Sequence, residues 1–161
     1  NHQSGLDIII LLAYLPANIY FMVKSSLFPI PLLGWFIRTA GHIKVERASA
    51  ASAYGAIKRV GEYLKSGRSV VVFPEGTRTR NGKLGEFKGG MVQVAVQANV
   101  PIIPVAISGA YEILPAGHFY FRPAIVKLTV GKPLYFGPEE CEEDKIRQVR
   151  ETIASMLPPP L

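Results

Sequence analysis

Cysteine is nearly absent from this chain. Cys141 stands alone, so no internal disulfide is available and the fold depends on packing, as suits a reducing environment. Metal-ligand spacing is lacking as well: His42 and His118 have no ligating neighbours at the intervals a zinc site uses, and no metal is expected. No Gly-x-Ser-x-Gly string occurs, which argues against a serine hydrolase of the elbow type. Cys141 is a poor nucleophile candidate, because Glu139, Glu140, Glu142 and Glu143 surround it with charge that opposes a thiolate. The longest uncharged stretch, residues 8–23, falls short of the roughly 20 residues a bilayer-crossing helix needs, and it contains Pro16 and Asn18. That run and the one at 27–37, broken by Pro29, Pro31 and Gly34, leave two readings open: buried helix with loop, or a surface that touches lipid. Acidic residues are scarce, 12 against 18 Lys and Arg, and the net charge of +6 favours an anionic partner. A phosphate-bearing substrate, an anionic membrane or nucleic acid would each answer to that charge; charge is all that speaks for nucleic acid, and none is expected as a partner. No charged or apolar leader precedes Asn1 and His2, and an upstream segment is expected to have been lost.

The apolar share of 48% and 161 residues suit one globular domain, 1–161, without repeats or low-complexity tracts. Ala53, Ile57, Val60 and Leu64 recur at helical spacing, with Lys58, Arg59, Glu62 and Lys65 on the other face and Gly67 as a stop. A β-branched run at 69–73 follows. A second apolar helix at about 89–98 leads through Asn99 to a strand at 102–107, and this repeated helix-then-strand order predicts an α/β fold with a mainly parallel central sheet flanked by helices. Residues 125–130 read as a further strand, wetter on one face, and Ile146, Val149, Ile153 and Met156 as a docking helix with acids in its first turn.

Chemistry concentrates in two places. In Asn1-His2-Gln3-Ser4-Gly5-Leu6-Asp7, a five-residue separation would set His2 and Asp7 about 140° apart on a regular helix, too far round to meet. They meet only if His2 lies in the turn ahead of the helix, an arrangement that Ser4 as N-cap and Asp7 three residues later, as in a capping box, would produce. An imidazole held there by a carboxylate is the base and orienter of a catalytic triad, with the nucleophile left to the substrate. The plainer alternative is a capping Asp7 beside a polar His2. The second place, Phe73-Pro74-Glu75-Gly76-Thr77-Arg78-Thr79-Arg80, leaves a predicted parallel strand, where open α/β sheets bind ligands. Arg78 offers a bidentate fork for phosphate, and Arg80, Lys83 and Lys88 add positive charge; the alternative is a basic surface turn. A Walker loop is excluded, since Gly76 and Gly82-Lys83 are one residue too far apart and Leu84 stands where a hydroxyl is required.

In this order the two clusters resemble the glycerolipid acyltransferase family that includes the 1-acylglycerol-3-phosphate acyltransferases. The family's His-x4-Asp motif is matched by Asn1, His2, Ser4 and Asp7, and its Phe-Pro-Glu-Gly-Thr-Arg motif by residues 73–78 without a change. Gly41-His42-Ile43-Lys44-Val45-Glu46-Arg47 answers to a further motif, with Lys44 where the family has an aromatic and Glu46 where it has Asp. Val100-Pro101-Ile102-Ile103-Pro104 answers to a fourth, and Lys24, Pro31 and Gly34 follow the family's spacing.

The resemblance implies a glycerol-3-phosphate acyltransferase-like fold for the catalytic domain. It implies transfer of a fatty acyl group from acyl-CoA or acyl-carrier protein to the sn-2 hydroxyl of lysophosphatidic acid, giving phosphatidic acid, with no cofactor besides the acyl donor. It implies His2 as base, Asp7 as its orienter, and Arg78, Lys24, Arg47, Glu75, Gly76 and Thr77 around the acceptor. It also implies residence at a membrane surface, on its cytoplasmic face. Glycerol-3-phosphate or another lysophospholipid is the rival acceptor, and a silent module binding anionic membranes is the rival class.

Overall fold

The computed structural model describes residues 1–15, 18–46, 50–118 and 120–159, and of 50–53 the backbone alone. The first helix, α1 (Asp7–Tyr14), ends at Leu15, whose extended backbone (φ −85°, ψ 125°) is what a residue ahead of proline prefers. Strand β1 (Ile19–Lys24) follows, and a 3₁₀ turn (Ser25–Leu27) leads to the short helix α2 (Leu33–Thr39) and strand β2 (Ile43–Val45). Helix α3 (Ala50–Lys65) and strand β3 (Ser69–Val71) complete a parallel three-stranded sheet in the order β2-β1-β3. Met22 faces Ile43 on one side of β1, and Phe21 faces Val71 on the other. β1 is therefore the central strand. Its Phe21 and Val23 are buried on one face while Tyr20 and Met22 are half-buried on the other, so it carries no polar alternation.

Helix α3 has the expected periodicity. Ala56 and Val60 are buried, Ile57 and Leu64 half-buried and Lys58, Arg59, Glu62 and Lys65 exposed, while the side chain of Ala53 lies outside the described residues. Gly67, at φ 76°, closes the helix, with the Arg68 amide donating to Tyr63 O at 3.0 Å, a left-handed cap that glycine adopts without strain. Helix α4 (Gly90–Gln97) ends on Asn99 at φ 50°.

Beyond α4 the expected parallel sheet does not continue. Strand β4 (Val105–Ser108) pairs antiparallel with β5 (Lys127–Val130), Ala106 facing Thr129, in a separate two-stranded sheet joined through the short α5 (Ala110–Ile113). Among the described residues β3 and β4 are not paired, and an apolar cleft of about 620 Å³ lies between them, lined by Val71, Phe73, Met91, Ile107 and Val149 among others. Helix α6 (Glu142–Met156) docks against β4 through Val149 and Ile153, which enclose Ala106 in a core of their own; its first turn holds Glu142, Glu143 and Asp144, as the helix dipole favours.

Two further clusters lie on the two faces of the parallel sheet. Leu11, Phe21, Val23, Ile37, Ile107 and Ala110 join α1, β1 and α2 to β4, and Ile43, Val60 and Val94 join β2 to α3 and α4. Each fully buried Phe, Leu, Ile or Val side chain contributes about 1.5–3 kcal/mol. The result is an α/β domain with helices on both sides of a parallel sheet, in which the carboxyl ends of β1, β2 and β3 point the same way.

Candidate active site

Residues 1–6 form a turn ahead of α1, and that turn brings His2 back over the helix start. His2 Nδ1 lies 2.7 Å from Asp7 Oδ2, the carboxylate being fully buried and the imidazole partly exposed. The same oxygen accepts the backbone N–H groups of Gln3 at 2.7 Å and Ser4 at 2.9 Å. Only an acceptor can serve three donors at once, so the carboxylate keeps the imidazole proton on Nδ1 and leaves the lone pair on Nε2. Nε2 makes no hydrogen bond among the described residues. Among the described residues, buried Asp7 Oδ1 has no hydrogen-bond partner, nor has Gln3 Oε1.

The expected capping box forms only in part. Asp7 does reach back to the Ser4 amide, but α1 begins at Asp7 itself and its N-cap, Leu6, has no side-chain cap. Ser4 Oγ instead accepts the Leu6 amide at 3.2 Å and donates to Leu114 O at 2.7 Å, so the serine anchors the turn to the chain beyond α5. Asn1 does the same on β4. Its side-chain amide donates to Ile107 O at 2.8 Å and its oxygen accepts the Ile107 N–H at 2.7 Å, imitating a strand pairing.

The loop leaving β3 closes on this turn from the other side. The Phe73 ring stacks on the His2 ring at 3.9 Å and 17°. The Thr79 amide donates to His2 O at 2.9 Å. Glu75, 8% exposed, accepts the His2 N–H on Oε1 at 2.8 Å and the Gly85 N–H on Oε2 at 2.9 Å. Both carboxylate oxygens are thus spent on backbone, and the side chain points into the protein. The stacking of Phe73 on His2, the part of Gly85 and this use of Glu75 are not announced by the sequence, although Phe73 and Glu75 lie in the matched motif: the His2–Glu75 bond spans 73 residues.

Arg78 is exposed and stands over the turn: a Cβ built on Gly5 would lie 3.7 Å from its Nη1. The guanidinium thus lies in contact range of the turn that holds the His2–Asp7 pair. Gly76 takes φ 70°, and a Cβ there would come within 3.1 Å of Lys88 Nζ, so a second cation lies against the same loop. Thr77 is exposed at its tip. Lys24 ends β1, exposed, opposite Val45 at the end of β2. His2, Asp7, Glu75, Gly76, Thr77 and Arg78 thus form one neighbourhood with Lys24 along the same sheet edge. Arg47 lies outside the described residues.

His42, in the segment that contains β2, serves structure. Its Nδ1 accepts the Phe21 N–H at 3.4 Å and its ring meets that of Phe21 edge-on at 5.5 Å; burial pushes its pKa below the ordinary 6.5. Among the described residues no group of three or more His, Cys, Asp or Glu side chains could hold a metal ion, and no helix is long and apolar enough to cross a membrane.

The profile of the acyltransferase family matches residues 1–108. The chain is 38% identical over 146 residues to a chloroplastic 1-acyl-sn-glycerol-3-phosphate acyltransferase of Brassica napus, an alignment that covers 89% of this chain and 42% of that protein. It is 38% identical over 136 residues to the corresponding chloroplastic enzyme of Arabidopsis thaliana, covering 84% of this chain and 38% of that one. The crystal structure of the 1-acyl-sn-glycerophosphate (LPA) acyltransferase PlsC from Thermotoga maritima superposes with a TM-score of 0.85 at 35% identity, over 97% of this chain and 62% of that one. The chain spans less than half the length of these two curated relatives.

Proposed function

Because this chain belongs to the acyltransferase family, we propose that it carries the catalytic centre of a 1-acyl-sn-glycerol-3-phosphate acyltransferase, acylating the sn-2 hydroxyl of lysophosphatidic acid from an acyl thioester to give phosphatidic acid. The reading is carried by one juxtaposition: a buried carboxylate holding an imidazole at 2.7 Å, with a guanidinium beside Gly5 in the same turn.

His2 Nε2 takes the proton of the acceptor hydroxyl as its oxygen attacks the thioester carbonyl. Asp7 stabilises the imidazolium that forms. Collapse of the tetrahedral intermediate re-forms the carbonyl, breaks the carbon–sulfur bond and expels a thiolate, which receives the proton from His2. No acyl-enzyme intermediate is needed. Base catalysis of this kind contributes about 10²–10⁴ in rate. Arg78 holds the acceptor phosphate through paired, charge-assisted hydrogen bonds, each worth about 1.5–3 kcal/mol, with Lys24 and Arg47 as further cations and Gly76 and Thr77 shaping the loop. Glu75 supports the acceptor site from behind, by fixing the backbone of His2. Acyl-CoA or acyl-carrier protein supplies the acyl group, and no cofactor takes part. The acceptor is a membrane lipid, so the reaction takes place at a membrane surface, on its cytoplasmic side, which the net charge of +6 suits.

The test is acyl transfer from labelled acyl-CoA and acyl-carrier protein to lysophosphatidic acid, glycerol-3-phosphate and other lysophospholipids in parallel. Lysophosphatidic acid is expected to be the preferred acceptor, and His2→Ala to abolish turnover while leaving the fold intact. Turnover that survives in a folded His2→Ala protein would overturn the mechanism, and preference for glycerol-3-phosphate would replace the acceptor.

A further inference from the structure

The loop that leaves the carboxyl end of β1, on the same sheet edge as His2 and Arg78, ends in an outward-facing apolar knuckle over residues 30–36. Helix α2 turns Gly34 and Ile37 inward, Ile37 being 4% exposed. Its other side presents Leu32 at 84% exposure, Trp35 at 68%, Phe36 at 49% and Leu33 at 42%. Trp35 and Phe36 lie on the side of α2 away from Gly34 and Ile37, and Leu32 stands exposed just before the helix begins.

The knuckle is built rather than loose. Leu32 takes φ 63° and ψ −54°, and the Leu33 N–H donates to Pro31 O at 2.7 Å, a γ-turn of the strained positive-φ kind. A branched side chain rarely adopts that backbone, and here it points its apolar carbons into solvent. Gly34 packs backbone to backbone: a Cβ on it would fall 1.9 Å from Phe28 O, the carbonyl that also accepts Arg38 Nη2 at 3.1 Å. Strain and apolar exposure each oppose folding, and strain of this sort gathers at functional positions. The charged side chains nearest the knuckle in sequence, Lys24 before it and Arg38 within α2, are both cations, whereas Lys44 further on is paired with Glu46 at 3.5 Å.

We propose that this knuckle docks on an anionic phospholipid surface, with Leu32, Trp35 and Phe36 entering the boundary between headgroups and acyl chains and Arg38 meeting lipid phosphates. An apolar tip with an aromatic at its flank and cations around it is the pattern of interfacial binding, and a helix of seven residues can lie in an interface though it cannot cross a bilayer. Docking there sets the His2 edge of the sheet toward the membrane. The proposal rests on the reading above in one respect, that the acceptor is a membrane lipid.

Trp35 is the chain's only tryptophan, so its fluorescence reports this site alone. Vesicles of phosphatidylglycerol and phosphatidylcholine are expected to shift its emission to the blue, brominated acyl chains to quench it, and phosphatidylcholine alone to do so more weakly. Leu32→Gly relaxes the backbone, so its melting temperature is expected to be equal or higher while vesicle affinity falls about fivefold or more. Arg38→Gln is expected to erase the preference for anionic vesicles. Co-sedimentation with vesicles while Trp35 emission stays fixed would overturn the proposal and place docking on another surface. A blue shift that grows with protein concentration without lipid would overturn it in favour of a second copy of this chain, and no response to any vesicle would end it outright. Acyl transfer to a short-chain, water-soluble lysophosphatidic acid without vesicles tests the chemistry separately, so the two failures are distinguishable.

Discussion

The turn at 1–7 and the knuckle at 30–36 are inversions of each other. In the first, polar groups are buried: Asp7 and Ser4 are fully enclosed and Glu75 nearly so, Asp7 being held within the turn and Ser4 and Glu75 bonding to backbone far along the chain. In the second, apolar groups are exposed, on a backbone held in an unfavourable conformation by contacts within about ten residues. Each departs from the rule that apolar side chains go in and polar ones stay out, and each costs stability. The difference lies in what the cost secures. Buried polar groups fix one imidazole in one orientation, whereas exposed apolar groups keep a surface available to something outside the chain.

The comparison breaks most severely at Asp7. Asp7→Asn would place an amide among three donors and favour the wrong imidazole tautomer, so kcat is expected to fall by about 10³–10⁴, measured with the acceptor at saturation. Glu75 sharpens the contrast. A residue that held the acceptor would raise KM when changed, but Glu75 spends both oxygens on the backbone of residues 2 and 85. Glu75→Gln is therefore expected to lower kcat by about 10-fold or more with the acceptor KM little changed, and to cost about 1–3 kcal/mol in chemical denaturation, since one buried amide loses its acceptor. A large rise in KM with kcat intact would return Glu75 to the acceptor's surroundings.

His42 gives the smallest effect. Burial holds its pKa below 6.5 in the folded chain, so the unfolded chain binds the proton more readily and the neutral ring's contribution is complete above that value. Stability is lost as pH falls through the lowered folded pKa, and a His42→Asn variant should show a flatter melting temperature against pH below 6.5. The polar turn at 1–7 does not contain His42, so an unaltered pH slope in that variant would move the acid sensitivity elsewhere.

How much of this could be read in the sequence depended on the distance over which each signal acts. The His2–Asp7 pairing is closed within one turn, and its spacing excluded a regular helix and required the turn observed. Helices α3 and α6 showed their buried faces by periodicity, apart from Lys145, which is buried on α6. Strand β1 was hidden, because a central strand covered on both faces has no alternation, and its apolar run merged with that of α1 into one stretch at 8–23. The antiparallel pairing of β4 with β5 was equally illegible: helix-then-strand order suggests parallel crossovers, whereas Val105 meets Val130 across 25 residues that carry no pairing signal. Ser4 as N-cap was plausible from local chemistry and gives way to a partner at Leu114, while the backbone partners of Glu75 at His2 and Gly85 carry no local signal.

The first seven residues have their anchors at positions 75, 79, 107 and 114. During synthesis the histidine is made well ahead of these anchors and waits while roughly a hundred more residues are added, about 5–20 s at ordinary elongation rates. Throughout that interval the imidazole has its neighbouring aspartate but neither its aromatic lid nor its backbone tethers. Catalytic competence therefore arrives with closure of the whole domain, and in a refolding experiment recovered turnover would trail the return of helical signal.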